Sequence, residues 1–276
     1  MCDTCGCNVT HGNQHLLVQG GALEHTAGGS ESVEVLQNLL EANDHEAAHN
    51  REHFNRHCVL AVNIMSSPGA GKTLLLENTI ERLAGKLKVA VIEGDLETEN
   101  DAKRIREKGV PAIQISTGTA CHLDAHMVHS ALHELELAGL DIVFIENVGN
   151  LVCPASFDLG QHLNVTLLSS PEGDDKPVKY PVMFRAADLM VISKSDLIDV
   201  LGDFEPARAE SYLRNLASQA PVIELSARSG DGMQLWIDWL RSQLASVRQR
   251  AAVGELIRPA IQSEGLALHA TSPPGR

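Results

Sequence analysis

The chain has 276 residues, 43% of them hydrophobic, which is enough to bury a sizeable core in one large or two small domains. Its 36 acidic and 22 basic side chains give a net charge of −14, which argues against nucleic acid or an anionic membrane as a partner. The start MCDTCGCNVT lacks the features of a signal peptide, and no apolar run reaches about 18 residues, so we expect a cytoplasmic protein. Six cysteines in such a chain indicate metal or redox chemistry rather than disulfides.

The sequence divides into four predicted regions. Residues 1–30 hold a cysteine cluster and a tether that we expect to be flexible, because it is rich in Gly, Asn, Gln and His and has little apolar periodicity. Residues 31–57 place apolar side chains at helical spacing and predict one long amphipathic helix that carries several histidines. From 58 to 250, apolar strands alternate with helices, which predicts an α/β domain with a mostly parallel sheet flanked by helices. Residues 251–276 show no clear pattern and are expected to be loosely ordered.

A phosphate-binding loop follows the first predicted strand. The segment CVLAVNIM runs into SSPGAGKT and then into a helix, which is the setting of a Walker A motif, although Ser66 stands where the strict motif has its first glycine. Lys72 would reach the β- and γ-phosphates, and the Thr73 hydroxyl would ligate Mg²⁺. The sequence therefore predicts a P-loop NTPase with these nucleotide-binding residues: Pro68, Gly69, Ala70, Gly71, Lys72 and Thr73.

Two acidic segments end later strands, where the ligands of open α/β sheets gather. The EGD segment at 93–95 puts Asp95 beside the P-loop, where we expect it to ligate Mg²⁺ and orient the attacking water. The ENVG segment at 146–149 resembles the D-x-x-G loop with Glu for Asp. The backbone N–H of Gly149 could therefore sense a γ-phosphate.

Two further segments point to guanine as the base. SKSD at 193–196 resembles N-K-x-D with Ser for Asn, and Asp196 can accept two hydrogen bonds from guanine that adenine cannot donate. The missing Asn leaves nucleotide affinity in question. SAR at 226–228 resembles the S-A-K loop that supports the base. The residues expected on the base side are Lys194, Asp196, Ser226 and Ala227, and GTP is favoured over ATP.

Two cysteine-containing groups have metal-ligand chemistry. Cys2, Cys5 and Cys7 could hold one Ni²⁺ or Zn²⁺ ion within a single turn of chain. Cys121 and His122 are expected to open a helix over 121–138, and Cys153 follows the 146–149 loop, so this second group would lie near the nucleotide and could move with it. Three ligands leave a position for water or for a second subunit, which makes a homodimer natural.

Two histidine stripes also occur at helical spacing. His45, His49, His53 and His57 recur every fourth residue, and His122, His126, His129 and His133 follow steps of four, three and four. Imidazoles one turn apart on one helix face can share a metal ion. The same spacing also fits a solvated helix face, so the sequence leaves both interpretations open.

These motifs together resemble the HypB family, the nickel-insertion GTPases of [NiFe]-hydrogenase maturation. The resemblance covers the chain from Cys2 to about residue 250 and includes the segment EGDLETENDAKRI. It implies that Cys2, Cys5 and Cys7 form the N-terminal nickel motif. It also implies G-domain ligands for Ni²⁺ or Zn²⁺ at Cys121, His122 and Cys153.

The resemblance further implies slow GTP hydrolysis with Mg²⁺, in which Lys72 and Asp95 are the catalytic residues. GTP would control dimerisation and metal release to the hydrogenase large-subunit precursor, with a HypA-type nickel chaperone as a partner. The tether lacks the long polyhistidine run of some relatives, which argues against nickel storage as the main task.

Three other function classes remain open. A metal-buffering protein with a vestigial GTPase core would bind metal with an affinity that does not change when GTP is added. A urease-type nickel GTPase or a cobalamin-linked metallochaperone shares the fold class, but the Cys-rich N-terminus argues against the urease type. A nucleoside or metabolite kinase would leave Asp196 and the 146–149 loop unexplained.

Overall fold

The computed structural model describes residues 29–95, 100–118, 120–216 and 218–254, with side chains from residue 40 onward. The predicted N-terminal metal motif of Cys2, Cys5 and Cys7 lies outside the described residues. The same holds for most of the predicted tether and for the tail beyond residue 254.

Seven strands form one parallel sheet in the order β3-β2-β4-β1-β5-β6-β7. The central strands are buried on both faces, which explains why they are continuous apolar runs in the sequence. This arrangement confirms the predicted parallel α/β fold. The strands are β1 (Leu60–Ser66), β2 (Val89–Asp95), β3 (Ala112–Ser116), β4 (Ile142–Glu146), β5 (Leu163–Ser169), β6 (Leu189–Ser193) and β7 (Val222–Glu224).

Helices cover both faces of the sheet. They are α1 (Gly29–Arg56), α2 (Lys72–Leu83), α3 (Asn100–Glu107), α4 (Ala125–Leu132), α5 (Lys176–Lys179), α6 (Pro181–Arg185), α7 (Ile198–Leu201), α8 (Pro206–Asn215) and α9 (Met233–Ala252). One face carries α2, α3 and α9, and the other carries α1, α4, α6 and α8. Within the described part of the chain, no helix combines the length and the apolar character needed to cross a membrane.

The helix predicted over 121–138 is wrong in its bounds. It begins only at Ala125, because the Asp124 side chain caps it by accepting a hydrogen bond from the Met127 backbone N–H at 2.8 Å. Cys121 and His122 therefore lie in the loop before α4 and do not open the helix. The short helices α5, α6 and α7 were not predicted, since four or five residues are too few for a periodic pattern to appear.

Buried polar side chains hold α1 against the rest of the domain. Asn50 donates to the backbone carbonyls of Ala125 at 2.7 Å and Leu159 at 3.1 Å, and Arg51 makes two 2.7 Å bonds to the carboxylate of Asp158. Gly160 lies directly beneath the helix: a Cβ there would come within 2.5 Å of the Asn50 Cβ. The close approach of α1 therefore depends on the absence of a side chain at this position.

We expect Gly160→Ala to lower the free energy of unfolding by at least about 3 kcal/mol, because it adds a clash with α1 to the strain of a positive φ. Gly202→Ala is the matched control. Gly202 also has a positive φ, but nothing lies within 4 Å of its added Cβ, so the loss should be about 1 kcal/mol. Urea unfolding of both variants measures the difference. Equal losses would contradict the packing of α1 on Gly160.

Candidate nucleotide and metal site

The phosphate-binding loop joins the end of β1 to the start of α2. Gly69 and Gly71 have φ values of 73° and 97°, which only glycine adopts readily, and they turn the loop toward the helix N-terminus. The Lys72 side chain is buried and donates from Nζ to Ser66 Oγ at 3.2 Å. Ser66, the residue that departs from the strict motif, therefore helps to position the lysine.

A cleft of about 400 Å³ opens above this loop at the carboxyl end of the sheet. Seven of the predicted residues line it, together with Glu93, Arg104 and Glu146. Gly149 approaches the loop so closely that a Cβ on it would lie 2.8 Å from the Pro68 Cα. The predicted residues that line the cleft are Pro68, Gly69, Gly71, Lys72, Thr73, Asp95 and Gly149.

Two glutamates lie side by side next to Thr73. Glu93 and Glu146 are register partners on β2 and β4, and each is 2% exposed. The Thr73 hydroxyl donates to Glu146 Oε1 at 2.9 Å, while Oε2 of each glutamate has no hydrogen-bond partner among the described residues. Burial raises the pKa of both carboxyls, and their proximity raises the pKa of Glu93 further. These unpartnered oxygens beside a hydroxyl fit the oxygen-only ligand preference of Mg²⁺.

The first of the two base-side segments, residues 193–196, contacts the P-loop. The Ser193 hydroxyl donates to the Ala70 carbonyl at 2.8 Å, and Lys194 Nζ donates to the Gly69 carbonyl at 2.8 Å. Ser193 therefore keeps a bond to the P-loop although it replaces the Asn of the usual motif. Asp196 is exposed in the 3₁₀ turn that follows.

The backbone holds the second base-side loop next to the first. The Ser195 N–H donates to the Leu225 carbonyl at 3.1 Å, which places Ser226 and Ala227 beside the 193–196 segment. Ser226 is fully buried and accepts a hydrogen bond from the Ser229 N–H at 3.1 Å, which closes the loop. The structure thus brings together the four residues expected on the base side.

Cys121, His122 and Cys153 form a compact group. One ligand atom of each lies within 4.8 Å of the others, and the two Sγ atoms are 3.1 Å apart as free thiols. The His122 ring stacks on Phe157 with centroids 3.9 Å apart, and burial lowers its pKa to about 4. A neutral imidazole and two sulfurs are the donors that Zn²⁺ and Ni²⁺ accept.

The loop after β4 connects this group to the cleft. Asn150 directly follows Gly149, and its Nδ2 donates to the Cys121 carbonyl at 3.2 Å. Asn147 Oδ1 accepts hydrogen bonds from the backbone N–H groups of Leu123 and Val148. One short loop therefore contacts both the P-loop and the cysteine-bearing segment.

The sequence motifs did not identify two buried acids at this end of the sheet as site residues. Glu146 was noted only as a departure from the D-x-x-G pattern, and Glu172 was not singled out. Both carboxylate oxygens of Glu172 are buried, and burial raises its pKa. Its place directly after β5, in SSPEGDDK, was the available signal, because the other site residues also follow their strands.

Comparisons with known proteins identify the family of this chain. The family model for the CobW/HypB/UreG nucleotide-binding domain matches residues 60–224. The hydrogenase maturation factor HypB of Azotobacter chroococcum mcd 1 is 50% identical over 252 residues, which is 90% of this chain and 81% of that protein.

Two solved structures are also similar. HypB from Helicobacter pylori in complex with nickel has a TM-score of 0.71 at 42% identity, over 74% of this chain and 96% of that one. HypB from Archaeoglobus fulgidus has a TM-score of 0.69 at 41% identity, over 74% of this chain and 100% of that one. The chain therefore belongs to the HypB family of hydrogenase maturation factors, within the CobW/HypB/UreG nucleotide-binding proteins.

Proposed function

We propose that this chain is a GTP-hydrolysing nickel metallochaperone that delivers nickel to the large-subunit precursor of [NiFe]-hydrogenase. The observation that carries this proposal is the shared loop, in which Gly149 contacts the P-loop and Asn150 contacts Cys121. A nucleotide that shifts this loop would change the geometry of the Cys121, His122 and Cys153 ligands. The nickel complex of the Helicobacter pylori relative supports nickel as the cargo.

Hydrolysis in this cleft is a matter of positioning and charge. Lys72 would hold the β- and γ-phosphates, Asp95 would ligate Mg²⁺ and orient the attacking water, and Thr73 with the Glu93 and Glu146 pair would complete the Mg²⁺ site. Bound Mg²⁺ neutralises phosphate charge. Arg104 lines the cleft, but its guanidinium is hydrogen-bonded to Glu77 and Asp101. It is therefore not available to stabilise the transition state, which supports slow hydrolysis.

Metal transfer would use both cysteine groups. Cys2, Cys5 and Cys7 would bind nickel at the N-terminus, and the G-domain group would bind Ni²⁺ or Zn²⁺. Because three protein ligands leave one position open, a second subunit could complete the G-domain site, and GTP would then control a homodimer. A HypA-type chaperone would be the partner in nickel transfer, and the protein would work in the cytoplasm.

Equilibrium dialysis with Ni²⁺ and Zn²⁺ tests this function directly. The full chain and a chain lacking residues 1–10 are compared, each with GDP and with a non-hydrolysable GTP analogue. We expect the deletion to remove a tight nickel site and the remaining site to change affinity with nucleotide. Equal metal affinity in the GDP and GTP-analogue states would instead support a metal-buffering protein with a vestigial GTPase core.

Asp196→Asn should weaken GTP binding by about 100-fold or more. Two hydrogen bonds to guanine are weakened or lost, because the amide of Asn places an N–H donor against the N–H donors of the base. Titration with a fluorescent GTP analogue measures the change. Asp199→Asn, an exposed acid on α7, is the control and should leave the affinity unchanged. Unchanged GTP affinity in Asp196→Asn would refute the guanine assignment.

Glu93→Gln should raise the Mg²⁺ concentration needed for half-maximal GTP hydrolysis by about tenfold or more, because a charged oxygen ligand is lost. The folded state should survive, since Gln keeps a hydrogen-bonding partner for Glu146 without needing a proton. Steady-state phosphate release over a Mg²⁺ titration measures this. Glu136→Gln, at an exposed position, should match the natural chain, and an identical Mg²⁺ dependence in Glu93→Gln would argue against this ion site.

Asn150→Ala should uncouple metal from nucleotide. In the natural chain we expect the affinity of the G-domain site to differ between the GDP and GTP-analogue states by about fivefold or more, and in the variant by less than about twofold. Nucleotide affinity itself should stay the same. Asn78→Ala is the control, because Asn78 is only half-buried on α2 and its side chain bonds a carbonyl of its own helix. Preserved coupling in Asn150→Ala would show that the signal takes another route.

A further inference from the structure

The two histidine stripes of the sequence meet where α1 packs on α4. His49 and His53, one turn apart on α1, face His129 on α4, and one ring nitrogen of each lies within 4.8 Å of the others. The ring centroids are 4.8 Å apart for His49 and His53 and 5.0 Å apart for His49 and His129. His133 adds a fourth ring, with its Nε2 3.0 Å from the Nε2 of His129.

We propose that His49, His53 and His129 form a separate metal site that binds a borderline divalent transition-metal ion, such as Zn²⁺ or Ni²⁺, through imidazole nitrogens alone. These ions accept neutral imidazole readily, and two helices that each offer ligands one turn apart are a common frame for such a site. The proposal rests on no part of the nucleotide function, because none of these residues lines the cleft.

The surroundings of His129 fix its ring as a metal ligand requires. The Nδ2 amide of Asn50 donates hydrogen bonds to two backbone carbonyls, so the atom that faces His129 Nδ1, 2.9 Å away, is Oδ1. An amide oxygen can only accept, so Nδ1 of His129 carries the proton. Glu46 Oε1 lies 3.4 Å from the same nitrogen. A histidine that binds metal usually donates its other ring N–H to an oxygen in this way. Nε2 of His129 is thereby left unprotonated, and it accepts a hydrogen bond from His133 Nε2 at 3.0 Å, which a bound ion would displace.

The distances suit closure around an ion. Nitrogen ligands at 2.0–2.1 Å from a tetrahedral ion lie about 3.4 Å apart, so the three nitrogens need only a modest inward movement from their present separation. His49 is exposed and His53 is half-buried, so their side chains have room to turn. Desolvation and the neighbouring His49 also hold the pKa of His53 below its ordinary value, which favours the neutral ring.

An ion at this position would join α1 to α4 and therefore tie the N-terminal helix to the segment that follows the Cys121 group. The competing explanation is that the rings only pack against one another at the helix interface. Ring packing requires no metal, so a measurement of metal binding distinguishes a metal site from packing alone.

The test uses the full chain with Cys2, Cys5, Cys7, Cys121 and Cys153 all replaced by Ser, without nucleotide, so that the sites with thiolate ligands cannot contribute. We expect this chain to bind about one Zn²⁺ in competition with a chromophoric chelator, and Ni²⁺ in place of it. Introducing His53→Gln into this Ser-substituted chain should reduce the bound Zn²⁺ to near zero. His57→Gln, an exposed histidine one turn further along, should leave the stoichiometry unchanged.

Absence of metal binding in the Ser-substituted chain, or equal binding by His53→Gln and His57→Gln, would overturn the proposal. Circular dichroism confirms that each variant is folded. If the five Ser substitutions prevent folding, the comparison moves to the natural chain, where His53→Gln must lower the total bound Zn²⁺ by about one ion and His57→Gln must not. Because no nucleotide is present, failure here leaves the GTPase proposal untouched.

Discussion

The parallel direction of all seven strands is the constraint on which the rest of the structure depends. It places every strand's carboxyl end on one edge, so that the P-loop, Glu93, Glu146 and Ser193 meet although the chain separates them widely. The register then sets the chemistry: Glu146 is paired with both Ile64 and Glu93, which puts two carboxyls next to each other where water is excluded. Such a pair is costly unless a proton or a cation is shared. The unfavourable desolvation of these two neighbouring carboxyls is therefore the physical basis of the proposed Mg²⁺ site beside the nucleotide.

The loop after β4 gives this edge a second role. Gly149 has no side chain, so the loop can lie against Pro68, and its next residue is bonded to the backbone of Cys121. Since packed segments move as units rather than deforming continuously, this loop is the route by which the proposed coupling would carry a change at the phosphate end to the thiols. Cys153 lies on the same loop a few residues later. The proposed sites for the nucleotide and for the metal thus share one structural element.

In the same domain, α1 is held by specific polar contacts as well as by apolar burial. Asn50 takes part in three of them: it bonds two carbonyls of the loops beneath and orients His129. Arg51 and Asp158 add a buried ion pair, which fixes the helix in one register because either partner alone would be unpaired and desolvated. That register is what brings histidines of two helices face to face.

The sequence by itself determined the fold class and the P-loop, and it predicted the base-side segments and the group of Cys121, His122 and Cys153, because local motifs and apolar periodicity encode them. It misjudged the start of α4, where the Asp124 cap and the Asn147 contacts override an apolar pattern. Only the tertiary structure decided that Glu146 bonds Thr73, that Ser193 bonds the P-loop and that the two histidine stripes meet. Each of these depends on register and helix packing between segments distant in the chain, which no local pattern records.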